Sequence, residues 1–202
     1  AVAVDFYRIL LGAIEILERV QEARETWRRR ARYLIVDEFQ DAAPEEVRLY
    51  GLLEPAELVL VGDPNQNIYA FRGTSPRYML EALGLPGAEA HYLTRSFRSR
   101  EAVTAAAGAL IRHNPDQPPE PLRPCGPGGL FAVRSSSTWE AHTEALVGAA
   151  RYGLACGTAF EAGSVAVLAR TNREVGFAMR ALAAAGVPAS LLTTDRDWYG
   201  LE

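Results

Sequence analysis

The sequence contains no lysine; all 21 basic residues among its 202 positions are arginine. This excludes a Schiff-base lysine, a catalytic lysine base and a P-loop lysine on a phosphate. The alanine- and arginine-rich composition reads as a coding bias towards GC-rich codons, and the exclusion holds whatever its cause. Cysteine is scarce too. Cys125 and Cys156 lie far apart and match no metal-ligand spacing, which fits a reducing compartment. His91, His113 and His142 stand singly. The apolar stretch Phe6 to Leu17 is interrupted by Arg8 and Glu15. It reads as neither a secretory core nor a membrane span, which needs about 20 apolar residues. No membrane partner is expected.

A net charge of −4 and a pI near 5.5 argue against a general basic coat. They leave nucleic-acid binding open, because a few arginines and aromatic rings suffice on a single strand. Hydrophobic content of 49 % with 23 % charged residues is that of a globular chain able to bury a core. At roughly 150 residues per domain, the length allows one large or two small domains.

Apolar residues at helical spacing from Phe6 to Val20 predict one or two helices over 5–30. The arginine-rich run Arg24 to Arg32 reads as a solvated helix face. Tyr33-Leu34-Ile35-Val36 reads as a buried strand ending at Asp37, and Leu58-Val59-Leu60-Val61 as a second ending at Gly62-Asp63. Between them, Pro44, Glu45 and Glu46 suit a helix first turn. A short helix is expected over 76–84, a third strand at 91–93, and a helix over 99–113 with Ser99 as N-cap. Residues 114–129 hold six prolines and three glycines in sixteen positions and read as a linker. Beyond it the pattern restarts: strand 130–134, helix 138–153, strand 164–169, helix 174–186, strand 188–193. The alternation predicts two α/β units with parallel sheets.

Ligands of open parallel sheets bind beyond the carboxyl ends of the strands. Asp37-Glu38 and Asp63 occupy two such ends, 26 positions apart, enough for one crossover. Paired acids after an apolar strand suit magnesium-nucleotide chemistry. One carboxylate can hold Mg²⁺ through water, and the other can deprotonate an attacking water.

The longer strings are more specific. Asp37-Glu38-Phe39-Gln40-Asp41, then Val61-Gly62-Asp63-Pro64-Asn65-Gln66-Asn67-Ile68-Tyr69-Ala70-Phe71-Arg72-Gly73, then Leu93-Thr94-Arg95-Ser96-Phe97-Arg98-Ser99 resemble motifs II, III and IV of the superfamily 1 DNA helicases of the UvrD/Rep/PcrA type. The stretch from Val165 to Asn172, with its following helix, looks like the region called motif IVa. A RecB- or AddA-like helicase–nuclease motor is a subtype that fits the same motifs.

The resemblance implies two incomplete RecA-like units of the P-loop NTPase fold. Residues 1–113 would be the latter part of the first, 114–129 the linker and 130–202 the first part of the second. It implies an ATP-dependent 3′–5′ helicase or translocase acting on single-stranded DNA and single-strand/duplex junctions, in the bacterial cytoplasm at the nucleoid. ATP and Mg²⁺ are the implied cofactors. Asp37 would assist the metal, Glu38 would be the general base, Gln66 the γ-phosphate sensor, and Arg98 an arginine finger. Asp63 would belong to the nucleotide site, and Phe97 would stack on adenine where the family has tyrosine. Tyr69, Phe71 and Arg72 would meet single-stranded DNA, as would Thr171 and Asn172 from the second unit. The sequence departs from the pattern at Ala42-Ala43, at Asn67 where serine is common, and at Ser96 where asparagine is common.

The sequence holds no Gly-x-x-x-x-Gly-Lys-Ser/Thr string, and motifs V and VI are not found. The chain is therefore expected to be the middle section of a longer helicase, inactive in isolation. The alternative is a non-hydrolysing DNA-binding or scaffolding remnant, against which the joint retention of Asp37, Glu38, Gln66 and Arg98 argues.

Overall fold

The computed structural model describes residues 5–114, 121–155 and 165–191. The protein is a mixed helix–strand structure with a small parallel sheet, and it divides into two compact units, Ala1–Phe131 and Ala132–Glu202.

In the first unit, α1 (Phe6–Arg19) starts at Asp5, whose carboxylate accepts from Arg8 N at 2.8 Å. Ile14 and Leu17 are its buried positions, and it packs on α3 (Pro44–Leu53). The arginines after it have a role beyond solvation. From α2 (Gln21–Arg30), the Arg24 guanidinium bonds the carbonyls of Leu17 and Glu18 at 2.5 and 2.6 Å. Arg28 reaches the Leu52 carbonyl and pairs with Glu54. Both thereby satisfy carbonyls that a helix C-terminus leaves open, and their charge complements the helix dipole there.

Strands β1 (Tyr33–Val36) and β2 (Glu57–Leu60) pair in parallel with Val36 opposite Leu60. Glu46 closes the start of α3 by accepting from Ala43 N at 2.7 Å. Val36, Phe39 and Ala42 form the buried cluster, with Val47, Tyr50, Leu60, Tyr78 and Met79 against it. The strands are less buried than expected. Ile35 is 70 % exposed, because only one face of this two-stranded ladder is covered, whereas parallel sheets ordinarily carry helices on both.

The segment 91–93, expected as a third strand, joins no ladder. Its continuation pairs elsewhere, through an isolated parallel bridge between Arg95 and Arg123. The helix α5 runs Glu101–Ile111, and its N-cap is Arg100 rather than Ser99. The reason lies in the Pro/Gly-rich segment, whose described residues 121–129 dock on residues 94–102. Glu101 N and Ala102 N donate to the carbonyls of Gly126 and Gly128 at 3.1 and 3.0 Å, so backbone replaces a side-chain cap. Gly128 and Gly129 adopt φ of 82° and 88°, open to glycine without strain. The expected short helix is present as α4 (Arg77–Leu83).

In the second unit, α6 (Trp139–Ala155) packs on α7 (Asn172–Ala184). Val147, Ala150, Leu182 and Val187 are its core. Helix α7 ends in a full Schellman arrangement: Gly186 has φ 67°, its N–H bonds the Ala183 carbonyl, and Val187 N bonds the Leu182 carbonyl at 2.9 Å. The expected strands at 130–134, and at 164–169 and 188–193 over their described residues, form no ladder. A strand exists only through a hydrogen-bonded neighbour, and none of these segments meets one among the described residues. No helix of the described residues is long and apolar enough to cross a membrane.

Candidate nucleotide and DNA site

The parallel pairing of β1 and β2 brings the two acidic strand ends side by side. The register continues past the strands: Val61 N donates to the Val36 carbonyl at 2.8 Å, and Phe39 N to the Val61 carbonyl at 2.9 Å. Residues 37–40 and 61–63 therefore share one edge, where the chain then turns into two short 3₁₀ segments, Phe39–Asp41 and Pro64–Gln66.

Asp37 and Glu38 are exposed at this edge. Glu38 sits in the left-handed region, φ 51° and ψ 38°. For a residue with a side chain that conformation costs on the order of 1–3 kcal/mol and persists where the surroundings enforce it. Asp37 Oδ1 accepts from Glu38 N at 2.9 Å, which fixes the turn and leaves Oδ2 for a ligand. Mg²⁺ prefers one or two carboxylates with several retained waters and substrate phosphates, and a single free carboxylate oxygen at an exposed strand end fits that role. No cluster of three or more His, Cys, Asp or Glu able to cage a metal occurs among the described residues.

Asp63 spends both carboxylate oxygens within the chain. Oδ1 accepts from Asn65 N at 2.9 Å and caps the 3₁₀ turn, while Oδ2 accepts from Gln66 Nε2 at 2.9 Å. It thereby holds Gln66, an exposed residue. Asn67, at one of the departures from the helicase pattern, earns its place geometrically: its Nδ2 lies 2.6 Å from the Gln40 carbonyl, 2.8 Å from Thr74 Oγ1 and 3.2 Å from Asp41 Oδ1.

Tyr69 and Phe71 follow within five residues of Gln66. Their rings lie 6.1 Å apart at 58°, and Phe71 is 83 % exposed against 38 % for Tyr69. The turn carrying them (Ala70–Arg72) closes on Gly73 at φ 83°. Arg72 is described by its backbone alone. Phe97 is 82 % exposed, with the Arg95 guanidinium 5.1 Å from its ring centroid. Arg98 is exposed, and its backbone N donates to Ser96 Oγ at 3.2 Å. Among the described residues, no hydrogen bond or ion pair joins Phe97 or Arg98 to the 37–67 edge. Thr171 caps α7: its hydroxyl accepts from Glu174 N at 3.3 Å, and Glu174 Oε2 accepts from Thr171 N at 3.0 Å. That capping box explains Thr171 on local grounds, with Asn172 exposed beside it.

Sequence reasoning passed over Gln40 as a group with work of its own. It is 1 % exposed, and it touches both acidic strand ends. Its signal in the sequence is its place two positions after Glu38 in the helicase-like string Asp37-Glu38-Phe39-Gln40.

The comparisons with known proteins fall on these residues. The model of the UvrD/REP helicase N-terminal domain matches residues 1–84, which contain both strand ends and Gln66, Tyr69 and Phe71. The chain is 33 % identical over 148 residues to the ATP-dependent DNA helicase Rep of Salmonella typhimurium, and 32 % identical over 148 residues to that of Escherichia coli. Each match covers 71 % of this chain and 22 % of the relative. Over these residues the chain belongs to the UvrD/Rep/PcrA helicase family. The ATP-dependent DNA helicase PcrA of Staphylococcus epidermidis matches at 32 % over 63 % of the chain and 18 % of its own length. The chain thus spans about a fifth of the length of these relatives.

Proposed function

We propose that this chain is a section of an ATP-dependent 3′–5′ DNA helicase or translocase. It would comprise the latter part of one RecA-like domain (1–113), a linker (114–129) and the first part of a second (130–202). The observation that carries the reading is the shared edge. The register of β1 and β2 sets Asp37-Glu38 beside Asp63-Gln66, and a pair of aromatic rings follows five residues later.

The chemistry follows from that edge. Asp37 would hold Mg²⁺, which when bound would supply charge neutralisation on the transferred phosphoryl group. Glu38 accepts the proton of the attacking water, a contribution of about 10²–10⁴-fold. Gln66, oriented by Asp63, bonds the γ-phosphate and the water. Arg98 faces the developing phosphoryl charge as an arginine finger, a role worth about 10³–10⁵-fold where it operates, and Phe97 stacks on the adenine. Phe71, Tyr69 and Arg72 meet single-stranded DNA, the rings stacking on bases without reading sequence, and Thr171 and Asn172 contact single-stranded DNA from the second unit. A base-stacking ring five residues from a phosphate sensor gives a short mechanical path from nucleotide state to strand grip. Acting on DNA places the protein in the cytoplasm at the nucleoid, at single strands and junctions. The direction of travel rests on the family resemblance.

The full-length protein carrying this chain should hydrolyse ATP faster when single-stranded DNA is added, and the isolated 202 residues should hydrolyse little, because they lack a phosphate-binding lysine. No DNA stimulation in the full-length protein would favour a non-hydrolysing remnant. A robust rate from the isolated chain would overturn the fragment reading.

A further inference from the structure

We propose that Gln40 is a positioning residue for Glu38, and that Gly62 exists to make room for it. The inference rests on the reading of Glu38 as general base. Gln40 Nε2 donates to Glu38 Oε2 at 2.8 Å, and Gln40 Oε1 accepts from Asp63 N at 3.0 Å. The two ends of this one amide settle its orientation, because a backbone N–H must face the oxygen, which leaves the NH₂ for the carboxylate. Its backbone carbonyl takes the Asn67 amide at 2.6 Å. Gln40 is therefore bonded at three points, buried to 1 % exposure, and spans from the candidate base to the turn that carries the phosphate sensor.

Gly62 supplies an independent observation. A Cβ built there would strike Gln40 Oε1 well inside contact distance, and would lie 3.2 Å from Phe39 N and 3.3 Å from Gln40 N. No positive φ requires glycine at this position, so the space taken by the Gln40 side chain is the reason for it.

The arrangement restrains an exposed carboxylate whose backbone is already in the left-handed region, so less freedom remains to be lost when water is attacked. Any movement of the Asp63 turn is transmitted to Glu38 through one rigid amide, so the sensor and the base shift together.

The test uses DNA-stimulated ATP hydrolysis by the full-length protein, with kcat and KM measured. Gln40→Glu is isosteric and keeps an acceptor for Asp63 N, but it removes the donor to Glu38 Oε2. The expected result is a kcat lowered about 10- to 100-fold, in line with displacement of a reacting group. KM for ATP should stay within about threefold of wild type, as for an interaction made only in the transition state. Gln40→Ala should show the same split. Gly62→Ala should reproduce the kcat loss, and the double variant should be no worse than Gln40→Ala. A merely structural role would change KM or the yield of folded protein instead. Wild-type kcat in Gln40→Glu, with Glu38→Gln inactive, would overturn the positioning role alone. An active Glu38→Gln would remove the base reading and this inference with it.

Discussion

Asp63 holds the side chain of Gln66: Gln66 Nε2 donates to Asp63 Oδ2 at 2.9 Å, while the other carboxylate oxygen caps the turn between them. The acid at the end of the second strand therefore fixes the side chain of Gln66. Asp63→Ala should lower kcat of the full-length enzyme by freeing Gln66. Adding Gln66→Ala should cost little more, because residues acting as a unit are not additive. A double-variant cycle on kcat measures this; full additivity would separate the two residues.

Phe71 offers a bare ring face, at 83 % exposure, and Tyr69 leans against it. Stacking on one base is worth about 1–3 kcal/mol, or about 5- to 150-fold in Kd. Phe71→Ala should weaken single-stranded DNA binding by that factor while leaving KM for ATP near wild type. Fluorescence anisotropy with a labelled oligonucleotide reads the first, and steady-state kinetics the second. Unchanged DNA affinity would remove Phe71 from the strand contact.

Tyr50, packed against Phe39 with ring centroids 6.3 Å apart, has its phenol pushed above the ordinary tyrosine range by burial and then by Glu46. The native state therefore keeps this proton at pH values where the unfolded chain has released it. Stability contributed by the neutral phenol is complete below about pH 10, the ordinary tyrosine value, and falls as pH rises through the raised native value. Tyr50→Phe should flatten this alkaline loss, measured as the urea midpoint between neutral and strongly alkaline pH. An identical slope in the variant would contradict the assignment.

The legible parts of the fold were those set by local chemistry. The apolar runs before Asp37 and Asp63 gave both paired strands, and Pro44-Glu45-Glu46 gave the helix between them. The helix expected over 174–186 ends with α7 at Ala184, and Gly186 in the αL region completes its Schellman turn. The errors came where a neighbour decides. Ser99 is a good capping residue by type, yet the carbonyls of Gly126 and Gly128 reach the α5 amides instead. The segments 91–93 and 130–134 have strand composition but no strand partner among the described residues, and composition carries no information about which strand lies alongside.

The site divides in the same way. Asp37, Glu38, Gln66 and Phe71 lie in strings whose residue types announce nucleotide and base contacts. Gln40 and Asn67 act through distances across 23 to 27 positions of chain, which no local pattern encodes. Thr171 shows the converse: read as a strand contact, it is first a helix cap.

If the Asp37-Glu38 edge hydrolyses a nucleotide under the control of DNA, Glu38 is the residue to change. The most direct measurement is the kcat of DNA-stimulated ATP hydrolysis by the full-length protein with Glu38→Gln, which keeps the size of the side chain and removes the base. The expected result is a loss of about 10²–10⁴-fold with single-stranded DNA still bound. A variant that hydrolyses ATP at the wild-type rate would contradict it.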